Sequence, residues 1–369
     1  MPSKNSDEPS GPFPDRVARD MSERLQTLRI PAEHADSPGL DQAADILRRG
    51  GLVAFPTETV YGLGGNGLDE RALHRIFEAK NRPLADPLIL HVTGVEQART
   101  LAREWPAAAE RLCRELWPGP LTLLLPREAY VPDAATAGLG SVALRAPAHP
   151  IAAGLLRRVA FPVAAPSANL FSRPSPTTAD HVLHDLAGRI EAVLDGGPCP
   201  VGIESTVLDL RDGRAVIRRP GGVPREAIEA ILGYNVPLGL VNESGPALPS
   251  PGLLERHYSP STPLILVEGW DEAALRELAR RLAEKGRFGV VAPDSTVDRL
   301  RASCEAVESL GALEVPSIAA ARLYSAIRRL DALGLDAMFS HTYPPGGFGD
   351  SINDRLLKAA GSVLIRTRT

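Results

Sequence analysis

The chain has 369 residues, 41 basic against 45 acidic for a formal net charge of −4, and three cysteines. That length suggests about two domains with separate cores, and the charge speaks against a protein whose main work is gripping nucleic-acid phosphates. Cys113, Cys199 and Cys304 form no C-x-x-C pair and support neither a disulfide framework nor a zinc ribbon, so a reducing cytosol and no protein-held metal are expected.

In chain order, residues 1–27 open on MPSKNSDEPSGPFPD, polar and proline-rich with no apolar h-region, and read as a loose tail. LDQAADILRR carries Leu40, Ala43, Ala44 and Leu47 at helical spacing and ends at Gly50-Gly51. A strand follows in LVAFPTETV, then a glycine turn, a helix over LDERALHRIFEAK and, past Pro83 and Pro87, a strand in PLILHV. Next come a helix near 95–116, strands in PLTLLL and SVALRAP, and a helix from His149 to Arg158. A strand in FPVAAPSAN, a helix over TADHVLHDLAG and β-like runs in EAVLDGG, STVLDL and AVIRRPG complete a mixed α/β pattern over 28–235. From Gly233 the text turns to proline, glycine and serine without periodicity, and 236–262 reads as a linker. Beyond it, over 263–369, the rhythm is regular: strand PLILVE, helix DEAALRELARRLAEKG, strand RFGVVAP, helix SIAAARLYSAIRRLDALG, strand DAMFSHTY, helix INDRLLKAA. This predicts a small α/β domain with a largely parallel sheet.

The string GLGGNG at Gly62–Gly67 fits the dinucleotide-binding spacing G-x-G-x-x-G. That fingerprint needs its third glycine inside the first turn of the helix. Here the best N-cap is Asp69, two residues past Gly67, and the acidic residue expected about 20 positions on would be Asp86, in a loop between prolines. The glycines are therefore expected to turn the chain ahead of the helix, with positive φ.

Other residues admit a structural and a functional reading side by side. Lys80, Asn81 and Arg82, stopped by Pro83, are either favourable charges at a helix C-terminus or a phosphate clamp of point charge and planar fork. Ser167 and Asn169 in APSAN suit a ligand or a side-chain turn. Arg145, near the end of an apolar strand, calls for an anionic partner, which a structural carboxylate would also satisfy. Glu204, Ser205 and Thr206, and Arg219 before Pro220-Gly221-Gly222, are loop residues or ligands with equal claim. His181 and His184 sit three apart on a polar helix, where a solvated face is the favoured reading.

Taken in order, PTETVYGLG, AKNRPLADPLILH, WPGPLT, VALRAPAHP, APSANLFSRPSPT, GIESTV, RRPGG and HYSP resemble the threonylcarbamoyl-AMP synthase family in its two-domain long form. The K-x-R and S-x-N pairs are that family's marks; the likeness is close over about 37–235 and looser beyond, through HYSP and GFGDSINDRLLKAA. It implies a YrdC-like catalytic domain, a twisted mixed sheet with flanking helices, then a linker able to close over the site and a smaller Rossmann-like α/β domain. The implied activity joins L-threonine, bicarbonate and ATP, with Mg²⁺ accompanying the nucleotide, into threonylcarbamoyl-AMP and pyrophosphate. A downstream tRNA threonylcarbamoyl transferase would use the product in the cytoplasm, with no membrane and no stable nucleic-acid complex. The resemblance places L-threonine near Thr59, His91, Arg145, the backbone at Ala165, and Ser205. It places ATP near Lys80, Arg82, Asp86, Ser141, Ser167, Asn169, Ser175, Arg219 and Tyr258, with Lys80 and Arg82 as catalytic cations. At about 1.5–3 kcal/mol for a charged hydrogen bond, Lys80, Arg82 and Arg219 together would supply roughly 5–9, against about 8 for micromolar binding.

One departure bears on the linker: where family linkers often read PGMKYRHYSP, this chain has Leu253, Leu254 and Glu255 before Arg256-His257-Tyr258. Two other functions stay open on the residues alone. An RNA-binding module with a concave basic face is weakened by the net negative charge and scattered aromatics. A carbamoyl-transfer enzyme like the hydrogenase maturation proteins would carry zinc-finger-like cysteines and an acylphosphatase segment that this sequence lacks.

Overall fold

The computed structural model describes residues 25–239, 258–268, 280 and 286–361, and the backbone of 364–366. Two sheets organise them. The first contains β1 (Leu28–Pro31), β2 (Val53–Phe55), β3 (Gly62–Asn66), β4 (Ile89–His91), β5 (Leu121–Pro126), β6 (Ser141–Arg145), β7 (Val163–Ala164), β8 (Ala192–Asp195), β9 (Thr206–Asp209) and β10 (Val216–Arg219). Their order is β1-β8-β2-β3-β7-β4-β6-β5-β9-β10. β8 runs parallel to both its neighbours, as do the pairs β4/β6 and β5/β9; the other ladders are antiparallel. Against this sheet lie α1 (Gly39–Arg48), α2 (Glu70–Lys80), α3 (Val95–Leu101), α4 (Ala107–Leu116), α5 (Asp133–Thr136), α6 (Pro150–Arg158), α7 (Ala179–Leu186) and α8 (Arg225–Leu232). Helices α1 and α6 pack with β2 and β8 in one apolar cluster, and a larger cluster fills the space under α2, α4, α7 and α8.

The second sheet is parallel throughout: β11 (Leu264–Glu268), β12 (Phe288–Ala292), β13 (Ala306–Ser309), β14 (Ala337–His341) and β15 (Leu364–Arg366), ordered β13-β12-β14-β11-β15. Helices α9 (Asp294–Leu300), α10 (Pro316–Asp331) and α11 (Phe348–Ala359) accompany it. This is the parallel α/β unit that the strand-and-helix rhythm predicts. A single apolar cluster joins Val60 and Ile203 of the first unit, Tyr258, and the inner faces of α10 and α11. Gly202, at φ +75°, lies against the backbone of Ala321, where an added Cβ would come within 2.5 Å of its Cα. Only a glycine lets the two units approach so closely there.

Several expectations are corrected. The glycines of GLGGNG do not turn the chain: Gly62–Asn66 is strand β3, paired with β2 through Val53↔Gly64, and none of its glycines takes a positive φ. They are small because neighbours crowd them; a Cβ on Gly64 would meet the Phe55 ring at 2.8 Å. LVAFPTETV yields a strand only over Val53–Phe55, because Pro56 removes a ladder donor. The helix near 95–116 is two helices, separated where Ala102 turns extended and Pro106 interrupts. FPVAAPSAN contributes only Val163–Ala164, bracketed by Pro162 and Pro166. Helices α5, α8 and α9 and strands β1, β13 and β15 were not anticipated.

The tail before residue 25, most of the linker including Leu253 to His257, and most of the helix expected over 271–286 lie outside the described residues. The start of the linker adds to the sheet edge, where Ile217 N donates to Pro237 O at 2.9 Å and Gly239 N to Ile217 O at 2.9 Å. Among the described residues no helix is long and apolar enough to cross a membrane.

Candidate active site

Strand alternation sets the floor. Ile89 and His91 share one face of β4, and their ladder partners on β6 are Ala143 and Arg145. Around this floor the chain brings Thr57, Thr59, Arg82, Ala165, Ser167, Glu204, Ser205, Arg219 and Tyr258 to a single pocket of about 540 Å³ up to its open mouth.

One side is built from hydroxyls and a held guanidinium. After β2 the chain turns through Thr57, whose Oγ1 accepts from Thr59 N at 3.1 Å and donates to Val60 O at 2.7 Å, an ordered turn that fixes Thr59. Arg145 Nη1 donates to Thr59 Oγ1 at 2.9 Å, Nη2 to Glu58 Oε1 at 2.6 Å, and Nε to Gly119 O at 3.3 Å. The anionic partner that Arg145 calls for is therefore Glu58, whose other oxygen accepts from Ala148 N at 3.0 Å. Burial pushes the Glu58 carboxyl up, but Arg145 and the backbone donors outweigh it and hold the group below its ordinary value. Burial, reinforced by Arg145, holds His91 down to about 3, so the imidazole is neutral at pH 7, and its Nδ1 is enclosed without a hydrogen-bond partner among the described residues. Ser205 Oγ pairs with Thr122 Oγ1 at 2.7 Å. The Ala165 N–H is taken by Ile89 O at 3.0 Å.

The opposite side descends from the end of α2. Asp69 caps that helix, its Oδ1 accepting from Arg71 N at 2.9 Å. Asn81, at φ 53°, closes it in the left-handed conformation, with Arg82 N returning to Phe77 O at 2.9 Å. This bend separates two neighbouring cations. Arg82 goes to the pocket, with Nη2 2.9 Å from Asp86 Oδ2 and 2.9 Å from Pro87 O. Lys80 stays on the buried helix face with Ile76 and Phe77 and donates to Ser167 O and, at 2.6 Å, to Asn169 O. Burial, then Arg82, keeps the Lys80 amine well below its usual pKa. Arg219 follows an irregularity in β10, between Ile217 and Arg219, that re-aims the strand end. Its Nη2 donates to Ser205 O at 2.9 Å and Ser205 Oγ at 3.1 Å, tying the two sides together.

The sequence-predicted residues thus divide. Thr59, Arg82, His91, Arg145, Ala165, Ser167, Ser205, Arg219 and Tyr258 line the pocket, whereas Lys80, Asp86, Ser141, Asn169 and Ser175 are not among its lining residues. Asn169 Nδ2 braces the loop through Leu170 O and Arg173 O at 2.7 and 2.9 Å. Ser175 Oγ donates to Glu204 at 2.5 Å, and Ser141 Oγ is buried with no partner among the described residues. The histidines 181 and 184 line a separate groove with Arg173 and Arg328. Among the described residues no cluster could hold a metal ion.

Two residues escaped sequence reasoning altogether. Arg355 Nε donates to Glu204 Oε2 at 2.7 Å, and Tyr324 OH lies 3.0 Å from the same oxygen. Tyr258, at φ 61°, sits with its ring 5.5 Å from that of Tyr324 and 5.4 Å from the Arg355 guanidinium. A signal was present for Arg355: it falls on the apolar stripe Ile352, Leu356, Ala359, where a charge has no business unless it is paired.

The comparisons with known proteins agree with this architecture. The family described as "Telomere recombination" matches residues 45–221, and "Threonylcarbamoyl-AMP synthase, C-terminal domain" matches 223–361. Threonylcarbamoyl-AMP synthase of Pyrococcus abyssi is 43% identical over 88% of this chain and 94% of its own length. That of Bacillus subtilis is 43% identical over 90% and 95%. The crystal structure of P. abyssi Sua5 complexed with L-threonine superimposes with a TM-score of 0.85 at 41% identity, covering 93% of this chain and 99% of that one. With both units matched in order and the alignment running nearly end to end, the chain belongs to the threonylcarbamoyl-AMP synthase family.

Proposed function

We propose that this chain makes threonylcarbamoyl-AMP from L-threonine, bicarbonate and ATP by adenylyl transfer, releasing pyrophosphate. The observation that carries the reading is one pocket in which a hydroxyl-and-guanidinium group of amino-acid size faces two further arginines. Arg145, pre-aligned by Glu58 and Gly119 O, has N–H groups left for a carboxylate, while Thr59 and Ser205 offer hydroxyls. His91, neutral, offers a ring nitrogen and no charge, which leaves the amino group of threonine free to lose its proton.

The amine attacks CO2, a C–N bond forms and a proton leaves, giving a carbamate; starting from bicarbonate, the C–O bond to its hydroxyl also breaks and that oxygen leaves as water with the amine proton. A carbamate oxygen then attacks the α-phosphorus, and the bond to the β-phosphate oxygen breaks with its electron pair on pyrophosphate. The carbamate is already an anion, so this displacement needs no general base; it needs positive charge where anions meet. Arg82 and Arg219 supply that charge. With Lys80 turned to two carbonyls, they contribute roughly 3–6 kcal/mol at about 1.5–3 each, and neutral donors such as Ser167 add about 1 kcal/mol apiece. Lys80 serves by fixing the loop from Ser167 to Asn169. Mg²⁺ does not fit these residues as a protein-held ion, because Glu58 and Asp86 are bound to arginines and Glu204 to Arg355. It belongs to the reading as the ion that accompanies ATP, and no step rests on it. The product would pass to a tRNA threonylcarbamoyl transferase in the cytoplasm.

Mass spectrometry of products after incubation with ATP, Mg²⁺, bicarbonate and threonine, with serine as control, tests the reading. A threonine-dependent adenylate with pyrophosphate is expected, and its absence sinks the proposal. One methyl in a pocket discriminates by only about 1–3 kcal/mol, so serine should be used more slowly, not refused.

A further inference from the structure

The hydroxyls that line the pocket differ in how their protons are held. Thr57 Oγ1 lies 2.7 Å from Val60 O, a carbonyl that can only accept, so the single proton of Thr57 points there. Thr59 Oγ1, 2.8 Å from Thr57 Oγ1, must then be the donor of that pair, because two lone pairs would otherwise face each other. Arg145 Nη1, which has protons and no lone pair, donates to Thr59 Oγ1 at 2.9 Å. The arrangement that satisfies all three contacts runs in one direction, from Arg145 through Thr59 and Thr57 to Val60 O. Bonds aligned head to tail in this way polarise one another. The N–H groups of Thr59 and Val60, 3.1 and 3.3 Å from Thr57 Oγ1, hold the last hydroxyl in place. Ser205 is different. Its Oγ accepts from Arg219 Nη2 at 3.1 Å and pairs at 2.7 Å with Thr122 Oγ1, which has no further partner among the described residues to order it. Either member of that pair can donate, so Ser205 is able to turn its proton to a ligand.

We propose that Thr57 is a positioning residue of the amino-acid half: by taking the proton of Thr59 it leaves that side chain only a lone pair for the ligand, so Thr59 holds the α-amino group of threonine and not its carboxylate. The inference rests on the adenylate-forming reading and fixes the polarity of one contact within it. A carboxylate only accepts and would meet Thr59 lone pair to lone pair, so it goes to the N–H groups of Arg145 and the proton of Ser205. The amino group sits on the same carbon as the carboxylate, and Thr59 is the neighbour that Arg145 itself touches. One N–H stays on that nitrogen when the C–N bond of the carbamate forms. The same acceptor therefore holds the nitrogen before and after that step.

Calorimetric titration of the full-length protein with L-threonine and with (R)-3-hydroxybutyrate, which keeps the carboxylate and hydroxyl and lacks the amine, reads the inference, while product formation by the wild type reads the function on its own. The wild type should favour threonine by about tenfold or more. Thr57→Val, equal in shape, frees the Thr59 proton: a carboxylate can now take it, whereas an amine forces it toward an apolar side chain. The preference should fall below about threefold, and Thr57→Ser, which restores the hydroxyl, should return it. A preference that Thr57→Val leaves unchanged, both ligands weakening together, makes Thr57 a purely structural residue and overturns the proposal, as does a wild type that binds the two ligands equally. If Thr57→Val does not fold, as a melting curve would show, Thr59→Val decides: loss of the acceptor should again bring the preference below about threefold, and a retained preference overturns the proposal.

Discussion

His91 offers a sharp test of the geometry, because its protonation is tied to folding. It is 2% exposed, with its ring edge-on to Phe55 at 6.2 Å. Burial first, and Arg145 second, hold its folded pKa near 3, Glu58 pulling weakly the other way, against about 6.5 in an unfolded chain. A folded value below the unfolded one means that the unfolded state takes up the proton first. The stability from His91 is therefore complete above pH 6.5 and is lost as pH falls toward 3. At pH 5 protonation of the unfolded state is worth about 2 kcal/mol, and at pH 7 about 0.2; a folded value one unit higher leaves the pH 5 figure unchanged. Urea midpoints at pH 7, 6 and 5 for wild type and His91→Asn measure this. The stability difference between them should shrink by about 2 kcal/mol from pH 7 to pH 5, since only the wild type titrates there. A difference that stays constant over that interval would refute the buried neutral imidazole. The same argument predicts no limb from His91 near pH 6.5 in a profile of kcat/KM.

Arg82→Ala should weaken ATP far more than threonine and Arg145→Ala the reverse, measured by calorimetry; equal losses in either variant would defeat the division of the pocket. Both variants should also lose about 3–5 kcal/mol of stability, because each removes the arginine paired with a buried carboxylate, Asp86 or Glu58. Gly221→Ala should destabilise by about 1–3 kcal/mol and lower turnover together, since its Cβ would lie 2.4–2.5 Å from the backbone of Glu204, Ser205 and Thr206. Thermal melts and pyrophosphate release check it, and an unchanged melting temperature would contradict the close approach.

Much of this was legible in the residues, for physical reasons that differ from element to element. Helix α2 could be read to within a residue or two because its apolar spacing, its Asp69 cap and the stop at Pro83 agree. Strand β3 was misread because four glycines look alike whether a chain must turn or must let neighbours close in; only the Phe55 ring and the Pro162 carbonyl tell the two apart. The cations before Pro83 were found, but their fates were not. Which of Lys80 and Arg82 enters the pocket is decided by the left-handed cap at Asn81, a backbone event with little trace in sequence. Arg355 was overlooked because its partner is 151 residues away, although its place on an apolar stripe marks it as paired with something.

The way the arginines are held also explains how a chain of net negative charge and no Walker loop can present cations to a polyanion. A free arginine loses side-chain entropy of about 2 kcal/mol when a ligand fixes it, and long exposed side chains gain little from ion pairs. Here the loss has been taken on folding: Arg145 is aligned by Glu58, Thr59 and Gly119, Arg82 by Asp86 and Pro87, Arg219 by Ser205. For Arg145 and Arg82 the alignment uses part of the fork and leaves other N–H groups without a partner among the described residues. The accompanying carboxylates lower the net field, which is tolerable only where each is itself bound and directed away from the ligand. Glu58 meets that condition through Ala148 N and Asp86 through Arg82, both within the first unit, whereas Glu204 meets it chiefly through Arg355. Most of the lining thus comes from the first unit, whereas Tyr258 packs against Tyr324 and the buried counter-charge of Glu204 comes from α11, so this site is assembled by both parts of the chain.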